Sequence, residues 1–168
     1  HATAMAEFCL STSKADIVVL GEGEETIVEL VDALEAGRSL AEIDGLAFHD
    51  RDHERIIVNK RRMRMTEIDS LAPPAWDLFD LKIYHDHRYE GCMHSASLSV
   101  PILATRGCPY QCTYCSSANM WTLRWIPRDP IKVVNEIEGY MRKYGAGNFP
   151  LQDLTAIIKK DWIVTFCK

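Results

Sequence analysis

Three cysteines lie within eight positions of one another in the stretch TRGCPYQCTYCSS (105–117), with the spacing Cys108-x3-Cys112-x2-Cys115. The strand-like segment LSVPILAT (98–105) precedes them, and a helix pattern follows. The cysteines are therefore predicted to lie in a loop directly after a strand. Open α/β sheets and α/β barrels place their active sites beyond the carboxyl ends of their strands, so the spacing predicts a functional loop at that edge.

The chemistry of this loop depends on what its thiols bind. No secretory signal is visible, which predicts a cytoplasmic, reducing environment where clustered cysteines bind metal or act in catalysis instead of forming disulfides. A structural zinc ion takes four protein ligands. Three thiolates without a fourth suit a 4Fe–4S cluster with one open iron, since an open position marks a catalytic metal site. Candidates for a fourth ligand lie in YHDHRYEGCMH (84–94), namely His85, His87, Cys92 and His94. Spacing alone leaves zinc and iron–sulfur both open.

Residues 15–37 have the pattern of a strand, a tight loop and a helix. The apolar run from Ile17 to Leu20 is expected of a strand buried on both faces in a parallel sheet. The loop Gly21-Glu22-Gly23 opens a helix with apolar residues at helical spacing. A dinucleotide-binding motif is weakly supported, because Thr26 replaces the third glycine of G-x-G-x-x-G. A tight strand-to-helix turn is the simpler interpretation.

The last forty residues predict a second α/β arrangement. Asp129 can cap a helix that Gly145 can end, and Val134, Ile137 and Met141 line one face of it. The segment NFPLQ is a candidate second strand, although its proline cannot donate to a ladder. The segment LTAIIKKDWIVTFCK begins another helix. Strand–loop–helix–strand–helix implies a parallel sheet with right-handed crossovers.

The middle of the chain and its overall charge exclude some classes of function. GLAFHDRDHERIIVNK (45–60) predicts a hairpin, and SLAPPAWDLFD (70–80) an ordered linker. The formal net charge of −5 argues against nucleic acid as a partner, and the basic stretch KRRMRM (60–65) is interpreted as a solvated strand edge. No apolar run reaches the roughly 20 residues that a membrane-spanning helix needs. Trp121 and Trp125 are expected to pack, or to wall a cofactor pocket.

The motif CPYQCTYC (108–115), with an aromatic residue before its third cysteine, closely resembles the cluster motif of the radical S-adenosylmethionine (SAM) superfamily. ADIVVLGEGEETIVELVDALEAG (15–37) and IDSLAPPAWDLFDL (68–81) resemble the subgroup with an N-terminal cobalamin-binding domain, which includes anaerobic tetrapyrrole cyclases. RWIPRDPIKVVNEIEGYMRKYGAGNF (124–149) and LQDLT (151–155) resemble the first barrel helix and second strand of the same subgroup. The resemblance spans nearly the whole chain.

This resemblance implies a role for each cysteine of the motif. Cys108, Cys112 and Cys115 would hold a 4Fe–4S cluster, and SAM would chelate the open iron through its amino and carboxylate groups. Reductive cleavage of SAM would then give a 5′-deoxyadenosyl radical, used for cobalamin-linked methylation or for oxidative cyclisation. The implied partners are a small-molecule substrate and an external electron donor such as flavodoxin or ferredoxin.

The resemblance also implies sites for SAM and cobalamin. Tyr114 would lie near the SAM adenine, and Gln152 and Asp153 would meet its amino group, where the family often has an acidic pair. The loop of Gly21, Glu22 and Gly23 would border the cobalamin nucleotide tail. His1 would belong to a neighbouring loop of that domain and is not expected to be a cobalt ligand.

The implied fold is α/β. Residues 1–44 would end a Rossmann-like cobalamin-binding domain, 45–95 would form the hairpin and interdomain linker, and 96–168 would be the first strand–helix units of a partial TIM-like barrel. The chain is thus expected to be an internal fragment of a longer protein.

Two alternatives to this enzyme stay open. A radical SAM methylthiotransferase carries a further N-terminal cysteine cluster, whereas the upstream segment here offers only Cys9 and Cys92. The other alternative is a non-catalytic zinc module for protein binding, which would use Cys92 or a histidine as its fourth ligand.

Overall fold

The computed structural model describes residues 2–87 and 97–168. The chain divides into two compact units. The first comprises His1–Met65 and Cys112–Thr122, and the second comprises Thr66–Gln111 and Leu123–Lys168. His1, Cys92 and His94, to which the sequence gives possible roles, lie outside the described residues.

A three-stranded sheet forms the centre of the first unit. Its strands are β1 (Ile17–Val19), β2 (Leu46–Asp50) and β3 (Arg55–Val58), in the order β1-β2-β3. β1 pairs antiparallel with β2, and β2 pairs antiparallel with β3 as the predicted hairpin. The sequence analysis expects a parallel partner for β1, and this expectation is wrong for the described residues. The partner of β1 is instead β2, the first strand of the hairpin, which runs antiparallel to it. An antiparallel pair does not need the crossover connection that a parallel pair requires.

Two helices complete the first unit's apolar packing. Helix α1 (Ala6–Thr12) buries Leu10 in a cluster with Val18 and Ala47. Helix α2 (Glu24–Glu35) buries Leu30 and Ala33 against the residues of the sheet and the segment before it. The other predicted apolar positions of α2 are exposed, and these are Ile27, Val28, Val31 and Leu34. Only one side of the broad apolar surface of α2 is therefore covered within the described residues.

The second unit contains helix α3 (Leu81–Asp86) and the strongly capped helix α5 (Pro130–Tyr144). The carboxylate of Asp129 accepts a hydrogen bond from the Ile131 amide at 2.8 Å, and Gly145 is left-handed (φ 65°) at the other end. Both predicted caps are confirmed. The prediction of which residues line the apolar face of α5 is partly wrong. The helix buries Val133 and Tyr140, whereas Met141 is 51% exposed.

The strand-like segments of the second unit meet in two ways. Strand β4 (Thr105–Arg106) pairs antiparallel with β5 (Ile126–Pro127). Upstream of β4, two isolated parallel bridges join Ser99 to Asn148 and Ile102 to Leu151. This parallel pairing agrees with the predicted order of strands. The proline at position 150 is tolerated because its carbonyl accepts from the Ile102 amide at 3.0 Å, so no proline donor is needed.

The core of the second unit lies between these segments and its helices. Helix α6 (Lys160–Phe166) begins six residues later than the sequence predicts and buries Trp162. The buried cluster consists of Val100, Ile102, Ala104, Val133, Tyr140, Ala146 and Trp162. The indole of Trp162 donates to the carbonyl of Arg128 at 2.7 Å, which fixes α6 to the start of α5. This core positions the carboxyl end of the first strand-like segment, where the cysteine loop begins.

An ion-pair network ties the linker to the start of α5. Arg128 donates to Asp69 at 3.1 Å and pairs with Glu136 at 2.5 Å. Burial lowers the pKa of Arg128, but the hydrogen bond and charge of Glu136 outweigh it and raise that pKa overall. Arg128 therefore stays charged and holds the two segments together.

None of the helices described for residues 2–87 and 97–168 is long and apolar enough to cross a membrane.

Candidate metal centre

The first cysteine of the motif follows β4 directly. Gly107 has φ +83°, a conformation that glycine adopts without strain, and it turns the chain out of the strand. Cys108 comes next and is half-buried. The predicted placement of the cysteine loop after a strand is confirmed for this residue. Cys108 belongs to the second unit, whereas Cys112 and Cys115 belong to the first.

The sulfur of Cys108 has a hydrogen-bond partner that the sequence analysis missed. The hydroxyl of Thr155 lies 3.1 Å from the Cys108 sulfur. The carbonyl of Thr155 accepts from the Trp125 indole at 2.9 Å. Trp125, expected to pack or to wall a pocket, therefore also fixes the backbone of the residue that contacts Cys108. The nearest residue for which the sequence predicts a role is Asp153, two positions before Thr155.

The other two cysteines lie on a tight turn. The amide of Cys115 donates to the carbonyl of Cys112 at 3.0 Å, and both side chains are exposed. The amide of Ser117, at the start of helix α4 (Ser117–Trp121), lies 3.5 Å from the Cys115 sulfur and donates to it. Tyr114 stands between them with 91% of its surface exposed. Its ring is open to a ligand.

The three thiols of this loop are the type of donor that holds an iron–sulfur cluster. Every cysteine among the described residues is a free thiol. Two of the three motif sulfurs already accept hydrogen bonds from the protein, which is how ligating thiolates are held. Ser117 is only 6% exposed, and its hydroxyl oxygen has no hydrogen-bond partner within the described parts of the chain. A buried polar atom beside Cys115 suits a group bound there.

The described residues do not form a closed metal cage. Across 2–87 and 97–168, no three His, Cys, Asp or Glu side chains are grouped closely enough to hold a metal ion. His85 and His87, candidates for a fourth zinc ligand, lie in and just after α3. They form no such group with the cysteines.

The two residues predicted to meet SAM lie at the end of the second strand-like segment. The Asp153 carboxylate accepts from the Ala104 amide at 3.2 Å and from the Thr105 hydroxyl at 2.5 Å. The backbone amide of Gln152 donates to the Ile102 carbonyl at 2.9 Å, while the Gln152 side chain is exposed. Both residues are thus placed beside the strand that leads to Cys108. Asp153 also helps to hold that strand in place.

The predicted cobalamin-bordering loop contains a nearly buried ion pair. Gly21 has φ +78°, which permits the turn after β1. The Glu22 side chain is 9% exposed, and its carboxylate accepts from the Met65 amide at 2.9 Å and from Arg64 at 3.3 Å. The Glu22 carboxylate is therefore hydrogen-bonded within the protein.

Arg64 joins this loop to the segment after the cysteines. Its guanidinium donates to the Trp121 carbonyl at 2.6 Å and lies over the Trp121 ring, 5.4 Å from the centroid. The Arg64 side chain is only 12% exposed. Arg62 nearby is 19% exposed and pairs with Glu29. The interpretation of residues 60–65 as a solvated strand edge is therefore wrong for Arg62 and Arg64, whose acidic partners are distant in sequence, whereas Lys60, Arg61 and Met63 are exposed.

Curated proteins match the chain, although no known family model does. The anaerobic magnesium-protoporphyrin IX monomethyl ester cyclase of Cereibacter sphaeroides is 35% identical over 172 residues, covering 100% of this chain and 26% of the relative. The protein of that name from Synechocystis sp. is 35% identical, covering 91% of this chain and 28% of the relative. The cytidylyl-2-hydroxyethylphosphonate methyltransferase of Streptomyces wedmorensis is 27% identical, covering 91% and 32%. The chain spans about a quarter to a third of the length of these relatives.

Solved structures share the fold. The radical SAM methyltransferase TsrM from Kitasatospora setae, solved with its tryptophan substrate and a SAM analogue, has a TM-score of 0.67 at 19% identity and covers 91% of this chain and 28% of that one. The cobalamin-dependent SAM radical enzyme OxsB, solved with aqua-cobalamin and SAM, has a TM-score of 0.70 at 18% identity, covering 99% and 22%. At these identities the likeness shows a common mixed α/β fold. In sequence the chain is similar, over 91–100% of its own length, to the anaerobic magnesium-protoporphyrin IX monomethyl ester cyclases, and in fold it is similar to the radical SAM enzymes TsrM and OxsB.

Proposed function

We propose that this chain supplies the cluster-binding loop of a radical SAM enzyme, with Cys108, Cys112 and Cys115 holding a 4Fe–4S cluster that keeps one iron open. The observation that carries the proposal is the set of three free thiols beginning at the end of β4, in a chain matched along its whole length by a cyclase. When bound, the cluster supplies the electron that cleaves SAM to methionine and a 5′-deoxyadenosyl radical. The three thiolates would hold the cluster in place.

In this proposal Tyr114, Gln152 and Asp153 bind SAM. Tyr114 is open to solvent and can lie against the adenine, since an aromatic ring stacks well on a purine. The side-chain carbonyl oxygen of the exposed Gln152 can accept a hydrogen bond from the SAM amino group. Asp153 has carboxylate lone pairs beyond the two that it uses for Ala104 and Thr105, so it can accept a further hydrogen bond.

The proposal assigns the remaining segments by the same resemblance. Residues 1–44 end a cobalamin-binding domain, whose Gly21-Glu22-Gly23 loop borders the cofactor. Residues 45–95 contain the hairpin and the interdomain linker. Residues 96–168 begin a partial barrel, an assignment supported by the parallel bridges Ser99–Asn148 and Ile102–Leu151. The cobalamin bound in OxsB supports the assignment of the first segment.

The reaction proposed for the whole protein is oxidative cyclisation of a small molecule, with an external one-electron donor such as flavodoxin or ferredoxin. The cyclases match at 35% identity, which supports this reaction. Cobalamin-linked methylation is the second candidate, because a methyltransferase also matches over 91% of the chain.

Anaerobic reconstitution of the full-length protein with iron and sulfide tests the proposal. We expect about four iron and four sulfide per chain, as a 4Fe–4S cluster requires. Cys108→Ala, Cys112→Ala and Cys115→Ala each lose most of this content, because three thiolates are the minimum that holds the cluster. Cys9→Ala and Cys167→Ala, which remove thiols outside the motif, serve as matched controls and keep it. One tightly bound zinc per chain with no sulfide would overturn the proposal in favour of a zinc module.

A further inference from the structure

We propose that Thr155 is a positioning residue for the cluster ligand Cys108: its hydroxyl donates a hydrogen bond to the ligating sulfur and raises the reduction potential of the cluster. This inference rests on the proposed function and deepens it. It concerns a residue of the chain outside the cysteine motif, 47 positions from the sulfur that it contacts.

The direction of this hydrogen bond follows from the chemistry of the ligand. The Thr155 oxygen and the Cys108 sulfur are 3.1 Å apart. A thiolate that ligates iron carries no proton and can only accept. A threonine hydroxyl can both donate and accept, so in the loaded protein it must be the donor.

Thr155 is held in the position from which it donates. Its carbonyl accepts from the Trp125 indole at 2.9 Å, and the Thr105 hydroxyl, whose proton goes to the Asp153 carboxylate at 2.5 Å, lies 3.4 Å from the same carbonyl. Asp153 binds Thr105 as well, together with the Ala104 amide. The turn 153–155 is therefore attached to the strand that leads into Cys108. Threonine is also branched at Cβ, which restricts rotation of its hydroxyl.

The electronic consequence has a definite sign. Reduction adds one negative charge to the cluster and its sulfurs. A hydrogen bond donated to a ligating sulfur becomes stronger as that sulfur becomes more electron-rich, so it stabilises the reduced state more than the oxidised state. Removing the donor should therefore lower the reduction potential and make the cluster harder to reduce.

The test is an EPR-monitored redox titration of the reconstituted full-length protein with Thr155→Val and Thr155→Ser. Valine keeps the shape of threonine without its hydroxyl, and serine keeps the hydroxyl. At a fixed potential, T155V should lower the ratio of reduced to oxidised cluster about threefold to tenfold, which is about 30 to 60 mV for a one-electron couple. T155S should match the wild type, which a purely structural role of the threonine methyl would not produce.

Two further variants keep the test decisive. Thr155→Ala removes the hydroxyl without placing a methyl group against the sulfur, and it should shift the potential in the same direction as T155V. Thr165→Val removes a threonine hydroxyl that donates only to the Asp161 carbonyl in α6, and it should leave the potential unchanged.

Each outcome separates this inference from the function on which it rests. If T155V and T155A hold a full cluster with the wild-type potential, the role of Thr155 is overturned and the proposed function stands. The role is also overturned if T155S shifts as far as T155V. If the wild type assembles no cluster, both proposals fall.

Discussion

At the scale of single residues, Arg64 is a nearly buried charge of the first unit. It pairs with Glu22, donates to the Trp121 carbonyl and lies over the Trp121 ring. Glu22 and Arg64 are 9% and 12% exposed, so neither charge is well hydrated. Removing one member of such a pair leaves the other charge in a poorly solvated site, which costs more than the pair itself contributes.

Arg64→Met tests this arrangement, because methionine retains much of the apolar stem and removes the charge. We expect the free energy of unfolding of the full-length protein to fall by about 3 kcal/mol, measured by urea denaturation followed by tryptophan fluorescence. The matched control is Arg51→Met. Arg51 also pairs with a carboxylate, that of Asp16, but the two side chains are 80% and 65% exposed, so the loss in the free energy of unfolding should be below about 1 kcal/mol. Equal losses for the two variants would contradict the burial argument.

Residues that act through local spacing could be predicted from the sequence, whereas residues that act through distant contacts could not. The three cysteines lie within eight consecutive positions, and Asp129 caps its helix through an amide two positions away. Thr155 contacts Cys108 across 47 positions, and Arg64 contacts Trp121 across 57. No local sequence pattern specifies these two contacts, because the residues of each pair come together only when the chain folds.

At the scale of elements, α5 combines a predictable position with an unpredicted face. Its caps depend on residues next to the helix ends, so the sequence predicts them correctly. Apolar residues at helical spacing occur on more than one side of α5, so the sequence does not specify which side is buried. The structure buries Tyr140, whose hydroxyl donates to Glu136 one turn earlier at 2.7 Å. Because its hydroxyl has a hydrogen-bond partner, the Tyr140 ring can be buried in the core. A search for apolar residues at helical spacing does not include such a tyrosine.

Tyr140 makes the stability of α5 depend on pH in the alkaline range. Burial raises the pKa of its phenol, and the hydrogen bond to Glu136 raises it further. The folded state therefore favours the neutral phenol, and this contribution is complete below pH 10, the ordinary phenol pKa, and is lost as pH rises above it. We expect the free energy of unfolding to fall above pH 10 in the wild type and to fall less in Tyr140→Phe, measured by urea denaturation at a series of pH values.

The control for this profile is Tyr110→Phe, which removes an exposed phenol of the same unit and leaves the Tyr140–Glu136 hydrogen bond intact. It should keep the wild-type dependence on pH. Identical alkaline profiles for Tyr140→Phe and the wild type would contradict the role assigned to this hydroxyl.

At the scale of the whole molecule, the sequence predicts α/β organisation better than it predicts strand direction. The order of segments around the cysteine loop implies parallel pairing, and the bridges from Ser99 to Asn148 and from Ile102 to Leu151 are parallel. For β1 the same reasoning fails, because an apolar run of four residues is buried equally well beside a parallel or an antiparallel neighbour. Its antiparallel partner comes from the hairpin, whose docking onto β1 depends on contacts about 30 positions apart.

The proposed function requires Cys108, Cys112 and Cys115 to hold a 4Fe–4S cluster with one iron open to SAM. Its most direct test is the EPR spectrum of the reduced, reconstituted full-length protein with and without SAM. Because SAM would bind the open iron, we expect it to change the spectrum of the wild type, and Cys112→Ala to show no such cluster signal. A 4Fe–4S spectrum that saturating SAM leaves unchanged would mean that the fourth iron is closed, and it would overturn the proposed function.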